Sequence, residues 1–193
     1  MNPGFFGFRR SPSFGRVRGF GWSFRMQLTN VVVQADLGCS LDLRVPSYRL
    51  TNARYNPKVF SAVVWQHRKI GGNCLLFSNG KINCNGKCLP LQDGRRRLRR
   101  YARKLQKMDY SVRLTNVRVV TASAANQLNE RIDQTRLPKD FSYEPELFPA
   151  VMFRRHGMHF ICHLSGKTMI TGMKGSSDLD DIYNVLLELA LYL

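Results

Sequence analysis

The chain has 193 residues, and its 30 Lys and Arg against 13 Asp and Glu give a formal net charge of +17. A basic excess of this size favours a phosphate-bearing partner, above all nucleic acid, over a merely solvated surface. No run approaches the roughly 18 apolar residues of a membrane span, and Arg9 and Arg10 interrupt the apolar start at once, so neither a membrane partner nor a signal peptide is predicted.

Residues 1–26 differ in composition from the rest of the chain. They contain five Arg, five Gly, six Phe and Trp22, with no acidic residue and no helical or strand periodicity. Such a segment buries too little apolar surface to order itself, so a disordered tail is predicted. Its alternating Arg and aromatic residues suit stacking on single-stranded nucleic acid, and a plain solubilising tail is the alternative.

Residues 27–110 are predicted to form the first of two repeats. Apolar patterns separated by the turn dipeptides Gly71-Gly72 and Asn79-Gly80 indicate short strands that a helix closes. Pro46 must lie in the first turn of the short helix or kink it. The predicted elements are a strand at 30–33, a helix at 41–53, strands at 59–66, 73–77 and 81–84, and a basic helix at 93–108.

Residues 111–193 are predicted to follow the same plan. The closing helix of this segment is acidic where that of the first is basic, so the two helices would present different partner surfaces. The predicted elements are a strand at 117–122, a helix or loop at 127–137, strands at 148–154, 159–164 and 167–171, and a helix at 178–193.

Similarity between the two segments supports this repeat. Tyr55-Asn-Pro-Lys-Val-Phe-Ser-Ala-Val63 returns as Tyr143-Glu-Pro-Glu-Leu-Phe-Pro-Ala-Val151. Two matched units predict a pseudo-symmetric domain, because a solenoid needs at least about three repeats. Double-stranded nucleic acid is the commonest ligand that has a two-fold character of its own.

Alternation along the predicted strands separates a core face from an outward face. Ile82 and Cys84 belong to the core, which places Lys81 and Asn83 outward. The outward set mixes large apolar side chains, amides, hydroxyls and lysines, and this mixture suits the minor groove of DNA. Its members are Leu75, Phe77, Lys81, Asn83 and Asn85 in the first repeat, and Ile161, His163, Lys167, Met169 and Thr171 in the second.

At these residues the chain resembles the TATA-box-binding protein family, from about residue 28 to 193. The most specific motif is Ser142-Tyr-Glu-Pro-Glu-Leu-Phe-Pro149, and Tyr101-Ala-Arg-Lys-Leu-Gln-Lys107 is another. The resemblance implies an α+β saddle, a pseudo-two-fold repeat of strand-helix-strands-helix. One curved antiparallel sheet of ten strands would carry four helices on its convex side. The family uses inserted side chains to kink DNA from the minor groove, and this mechanism is part of what the resemblance implies.

The family's DNA contacts transfer to this chain residue by residue. The kinking phenylalanines fall on Phe60, Phe77 and Phe148, and the fourth falls on His163. The central asparagines fall on Asn30 and Thr121. With Leu75, Ile161 and Met169, which strand alternation alone places on this face, the whole predicted set is Asn30, Val32, Phe60, Leu75, Phe77, Lys81, Asn83, Asn85, Thr121, Ser123, Phe148, Arg154, Ile161, His163, Lys167, Met169 and Thr171.

Several of these positions depart from the family pattern. Those that are more polar or shorter are Asn83, Thr121, Ser123 and His163, and Gln66 replaces a phosphate-contacting Arg. An unpaired polar group in the groove costs about 1–3 kcal/mol. Specific and non-specific sites differ by only about 4–10 kcal/mol. An altered or weakened TATA preference is therefore predicted, with the Phe60/Phe77 pair intact and the second pair damaged.

The resemblance also implies partners. The loop of the second repeat that binds transcription factor IIB would use Glu144, Glu146 and Leu147, and the basic helix that binds transcription factor IIA would use Arg100, Arg103 and Lys107. The implied protein is nuclear, binds promoter DNA, and reaches the RNA polymerase II machinery indirectly. The alternative is an adaptor that recruits these factors with little or no specific DNA binding.

An enzyme is not predicted. The outward face carries no paired carboxylates, and alternation places Cys162 on the opposite face from His159 and His163. Five cysteines, an odd number, indicate free thiols in a reducing compartment. Cys84 and Cys88 have the spacing of half a metal site without a matching second pair, so no metal or cofactor is predicted.

Overall fold

The computed structural model describes residues 17–19, 22–24, 26–86, 91–175 and 177–193. Packing divides the chain into two compact units, which we call the 30–120 unit and the 121–193 unit; the second also includes the residues before 30. The boundary between them lies inside one strand, β8 (Thr115–Gln127), which contributes to both units. The sequence repeat, in contrast, begins before that strand.

Part of the N-terminal tail is ordered. Val17–Gly19 (β1) and Trp22–Phe24 (β2) pair as antiparallel strands, with Val17 opposite Phe24. The prediction of disorder does not hold for these six residues, because their antiparallel pairing supplies backbone hydrogen bonds that apolar periodicity does not reveal. The prediction for residues 1–16 lies outside the described residues.

The 30–120 unit is an antiparallel arrangement in the strand order β4-β5-β6-β7-β3, with the first part of β8 next to β3. The predicted short helix begins later and ends earlier than expected, with Pro46 in its first turn. The elements are β3 (Gln27–Asp36), α1 (Arg44–Arg49), β4 (Ala53–Asn56), β5 (Phe60–Gln66), β6 (Asn73–Phe77), β7 (Lys81–Gly86) and α2 (Leu91–Gln106).

The 121–193 unit has the order β8-β12-β11-β10-β9. Its elements after β8 are β9 (Ser142–Glu144), β10 (Phe148–Arg155), β11 (Met158–Cys162), β12 (Lys167–Met173) and α3 (Asp178–Ala190). The segment predicted as a helix or loop is a loop with one 3-10 turn at Gln134–Arg136, where the Asp133 carboxylate accepts from the Thr135 N–H at 2.9 Å. No helix in the described ranges has the length and apolarity that crossing a membrane requires.

The core of the 30–120 unit lies between its strands and α2. Val33 on β3 and Ile82 on β7 are fully buried, as alternation predicts. Gly94 lets α2 approach β3 closely, because a Cβ there would collide with the Val33 side chain. The Trp65 and Tyr101 rings then meet edge-on, with their centroids 4.7 Å apart. Burial on this single face holds the unit together.

The core of the 121–193 unit is built around stacked aromatic rings. Phe153 stacks on Phe141 at 4.1 Å and on Phe160 at 5.0 Å between centroids. Arg155 lies over the Phe141 ring at 5.4 Å and pairs with Asp140 at 2.8 Å. The hydrogen bond to Asp140 and the charge of that carboxylate raise the pKa of Arg155. The apolar side of α3, buried at Ile182, Val185, Leu186 and Leu189, completes this core.

The Tyr101 hydroxyl gives a test of this packing. It donates towards the carbonyl oxygens of Gly72 at 3.2 Å and Gly71 at 3.4 Å, inside an otherwise apolar core. Tyr101→Phe should lower the free energy of unfolding in urea by about 1 kcal/mol, since the two carbonyl groups lose the one hydroxyl hydrogen they share and the His67 N–H loses its acceptor. Tyr48→Phe, at a side chain that is 88% exposed, should change it by less than about 0.5 kcal/mol. Equal effects of the two substitutions would contradict the role assigned to this hydroxyl.

The same residue predicts an alkaline pH dependence. Burial raises the pKa of Tyr101 to about 12. In the unfolded chain it ionises near about 10, so the folded state binds the proton more tightly. The contribution of Tyr101 to the free energy of unfolding is therefore fully present below pH 10 and is lost as the pH rises towards 12. The Phe variant should lack this component, so the difference in unfolding free energy between the two proteins should shrink over that window.

Candidate nucleic-acid interface

We call the strand surface that faces away from the helix-packed core the open face of each unit. In the 30–120 unit the first row pairs Ala62 with Phe77, and Phe60, two residues before Ala62 on β5, completes the predicted insertion pair. The Phe60 and Phe77 rings meet edge-on with centroids 6.4 Å apart, and Phe60 is 43% exposed. The exposed Lys81 and the half-buried Asp36 are directly opposite each other on β7 and β3. Two large apolar rings thus stand beside a cation at the rim.

The second row of this face is held by a chain of hydrogen bonds. Strand pairing aligns Val64, Leu75, Asn83 and Gln34 across four strands. The Gln34 side-chain amide donates to Asn83 Oδ1 at 2.9 Å, and Arg118 donates to Gln34 Oε1 at 3.0 Å. Because a guanidinium can only donate, Arg118 fixes which way both amides point. Asn83 therefore has its NH2 group left to donate.

The third row is the most polar. It aligns Gln66, Asn73, Asn85 and Val32. The Oδ1 atom of Asn85 is buried without a hydrogen-bond partner among the described residues. Asn30, two residues before Val32 on β3, is half-buried on the same face. This row offers amide groups where the first row offers rings.

The 121–193 unit repeats the three rows in the same register, with different chemistry. Met152, Ile161, Met169 and Ala125 form an apolar second row. Arg154, His159, Thr171 and Ser123 form the third. Lys167 is opposite Gln127 in the first, and Thr121 is half-buried. By this register Met169 is the equivalent of Asn83, and Ser123 is the equivalent of Val32.

The second aromatic pair is Phe148 with His163. The ring centroids are 6.2 Å apart with an interplanar angle of 55°, and Phe148 is 40% exposed. The pair therefore keeps the spacing of Phe60 and Phe77 while one ring is an imidazole. An imidazole is smaller than a phenyl ring and prefers a hydrogen bond to a dry apolar environment.

The predicted partner residues lie on exposed surfaces. Glu144 ends β9 and Glu146 lies in the turn before β10; both are exposed, and Leu147 is 81% exposed. The Leu147 N–H donates to the Glu144 carbonyl at 3.0 Å, which holds the turn. On α2, five arginines line a shallow cleft of about 630 Å³, and Lys107 follows on the same helix end. The five are Arg95, Arg96, Arg99, Arg100 and Arg103.

The structure gives no support to a metal or thiol site. Burial raises the pKa of Cys84 to about 11 and that of Cys162 to about 12, so both thiols stay protonated near neutral pH. Cys88 lies outside the described residues. Within the described ranges no group of three His, Cys, Asp or Glu side chains could hold a metal ion.

Sequence reasoning missed part of the open face. Val64 and Met152 alternate with core residues in predicted strands, so the period of two could have identified both. Gln34 lies in an extension of β3 beyond the predicted strand. Arg118 could not have been found this way, because its place depends on its hydrogen bond to a residue 84 positions away.

Comparison with known proteins places this geometry in a family. The sequence model described as "Transcription factor TFIID (or TATA-binding protein, TBP)" matches residues 25–108 and again residues 112–189. The two matches coincide with the two predicted repeats. They cover most of the chain.

Individual relatives agree. The chain is 36% identical over 163 residues to the TATA box-binding protein-like 2 of Rattus norvegicus, covering 81% of this chain and 47% of the relative. It is 33% identical over 170 residues to the TATA-box-binding protein of Xenopus tropicalis, covering 83% and 57%. The chain thus spans about half the length of the curated relatives it matches.

A solved structure gives the fold. The TBP of Methanococcus jannaschii superposes with a TM-score of 0.75 at 23% identity, covering 87% of this chain and 99% of that one. This match confirms the predicted fold. The family is one of transcription factors and not of enzymes, as the sequence predicted. With its two family matches and its paired open faces, the chain belongs to the TATA-binding protein family of transcription factors.

Proposed function

We propose that this chain binds promoter DNA through the minor groove and nucleates assembly of a transcription preinitiation complex in the nucleus. The observation that carries the proposal is the open face itself. In each unit an aromatic pair stands near half-buried apolar side chains of the second row, such as Leu75 or Ile161, and a rim lysine, Lys81 or Lys167. A groove with few donors and a phosphate border is complementary to such a surface. The net charge of +17 supports the same ligand.

The proposed contacts divide by row. Phe60, Phe77 and Phe148 would insert between base steps, with His163 as a weaker fourth wedge. The second row and the third-row residues Val32, Asn85, Thr171 and Ser123 would lie along the groove floor, and the bases Lys81, Arg154 and Lys167 would contact backbone phosphates. The contacting set predicted from the sequence is retained in full in this proposal.

Sequence preference is proposed to be altered and not merely weakened. Asn83 replaces an apolar family residue, but its carbonyl is paired with Gln34, so no unpaired acceptor has to be desolvated. Its free NH2 group would donate to the N3 or O2 acceptors of the groove floor. The guanine amino group would stand in the way of such a donor, which favours A·T pairs over G·C pairs at this position.

Two protein surfaces are proposed to recruit partners. The exposed Glu144, Glu146 and Leu147 would bind transcription factor IIB, and the exposed Arg100, Arg103 and Lys107 would bind transcription factor IIA. RNA polymerase II would then be reached through these factors. Clustered arginines on α2 repel one another and are relieved by an acidic partner, which supports its role as a docking surface.

An adaptor with little specific DNA binding is the second candidate function. Asp36 favours it, because a carboxylate on the open face opposes the negative potential of DNA. Asn116 donates to this carboxylate at 2.8 Å and disperses only part of its charge. A protein working through α2 and the Glu144 turn alone would tolerate such a residue.

Loss of the intact wedge should abolish bending. Phe60→Ala with Phe77→Ala should lower affinity for a TATA-containing duplex and remove the bend measured by fluorescence energy transfer, because the insertion pair is gone. Val59→Ala, at a neighbouring side chain that is 80% exposed, is the control and should leave both unchanged. A double variant that bends DNA as well as the parent would refute insertion at this pair.

Repair of the second pair should strengthen binding. His163→Phe should increase the DNA bend and tighten binding to a TATA duplex, with a smaller gain in affinity for random sequence. The reason is that a phenyl ring, unlike an imidazole, needs no hydrogen-bond partner when it lies between stacked bases. Thr121→Asn should add to the gain, since it restores the family residue in the same half. Affinity and bend angle are measured at one fixed salt concentration. Absence of any gain from either change would favour the adaptor.

Charge reversal in the exposed turn should separate recruitment from DNA binding. Glu144→Lys should weaken the complex with transcription factor IIB in a pull-down at moderate salt, while DNA affinity stays within about twofold of the parent. Glu130→Lys is the matched control, an exposed acid of the same unit outside this turn. Unchanged complex formation by the Glu144 variant would exclude this surface as the docking site.

A further inference from the structure

A cavity of about 510 Å³ lies at the edge of the 30–120 unit, between β4, β5 and the turn that joins β5 to β6. Its position on the open face follows from Val64, which lines it and belongs to the second row. The lining residues are Asn52, Arg54, Val64, Gln66, His67, Arg68, Gly71, Gly72 and Asn73. Val64, Gln66 and Asn73 belong to the second and third rows, whereas Arg54, His67 and Arg68 have no role in the DNA contacts proposed above.

The lining is basic and rich in amide groups. Arg54 and Arg68 are both exposed, and no lining residue is acidic. Among the described residues, neither arginine forms an ion pair or a side-chain hydrogen bond. The cavity thus offers two guanidinium groups without a partner among the described residues, beside the amides of Gln66 and Asn73. Such a set of N–H donors is suited to the oxygens of a phosphate group.

The walls of the cavity are held in place by backbone contacts. The Gln66 N–H donates to the Asn52 carbonyl at 3.1 Å, which closes β4 against β5. The β5–β6 turn is tied to α2 by the Tyr101 hydroxyl. Gly72 cannot be replaced without a shift, because a Cβ there would come within 2.5 Å of the Asn85 carbonyl oxygen. The cavity is therefore preformed in the fold.

The strand register shows which position of the 121–193 unit corresponds to Arg54 at this cavity. In the 121–193 unit the third-row base is Arg154 on β10, and β9 places Ser142 opposite Met152. In the 30–120 unit the equivalent of Arg154 is Gln66, and β4 places Arg54 opposite Val64. The arginine is thus on the inner strand of the pair, β10, in the 121–193 unit and on the edge strand, β4, in the 30–120 unit.

We infer that this cavity binds one backbone phosphate of the DNA duplex, through Arg54 and Arg68. The inference rests on the proposed DNA binding and adds to it a contact that compensates for Gln66. Each guanidinium donates N–H groups to phosphate oxygens, so the contact adds affinity without base preference. It extends the bound duplex to the β4 edge of this unit.

The test is the dependence of duplex affinity on salt, measured by fluorescence anisotropy. Arg54→Gln should weaken binding by about tenfold at moderate salt, the effect of one lost charge-assisted hydrogen bond. It should reduce the slope of log K against log salt by about 0.9, since one phosphate contact disappears. Arg54→Gln with Gln66→Arg should restore the slope. Arg49→Gln removes the same charge from α1 of this unit and should leave the slope unchanged.

The outcomes are distinguishable. The variants Arg54→Gln and Arg68→Gln should first melt at the same temperature as the parent. If the parent binds duplex and both variants keep the parent's slope of log K against log salt, the inference is overturned and the proposed function stands. A parent that does not bind duplex overturns the proposed function as well. Calorimetry with inorganic phosphate distinguishes a DNA phosphate from free phosphate as the ligand. If phosphate binding depends on Arg54 while the salt slope of DNA binding is unchanged, the cavity binds free phosphate and the backbone contact is overturned.

Discussion

One-sided burial is the constraint on which the rest of this structure depends. Each strand alternates, so that Val33 and Ile82 pack beneath α2 while Val32 and Asn83 face away from it. The core side must be apolar and closely packed, which Gly94 and the contact of Trp65 with Tyr101 make possible. The open face carries no such packing requirement. Its side chains are therefore free to match a ligand, and the proposed DNA contacts all lie on this face or in the loops beside it.

The two units share a register but not a chemistry. Equivalent positions hold Phe77 and His163 in the first row, and Asn83 and Met169 in the second. The 30–120 unit thus combines two large rings with a hydrogen-bonded amide row, whereas the 121–193 unit combines a weaker ring pair with an apolar row. A pseudo-symmetric backbone can in this way present different interactions in its two units, a full insertion pair in one and a weaker pair beside apolar contacts in the other.

Strand alternation and the repeated Tyr-x-Pro segments are local signals, and they predicted the two repeats and most of the open face. The fold itself was implied by the family resemblance. β4 and β9 were missed as strands, since they are only four and three residues long and lie against turns. The network of Arg118, Gln34 and Asn83 was missed because it depends on cross-strand pairing. The cavity at Arg54 was missed for the same reason: no local pattern joins β4 to the turn after β5.

The central claim is that the open faces contact the minor groove, and inosine tests it most directly. A G·C pair differs from an A·T pair in the minor groove by the guanine amino group, which inosine lacks, while an I·C pair keeps the major groove of G·C. Affinity is measured for one promoter duplex with its A·T pairs intact, replaced by I·C, or replaced by G·C. The account predicts that I·C binds within about threefold of A·T and that each G·C replacement costs about 1–3 kcal/mol. Binding to I·C as weak as binding to G·C would contradict it.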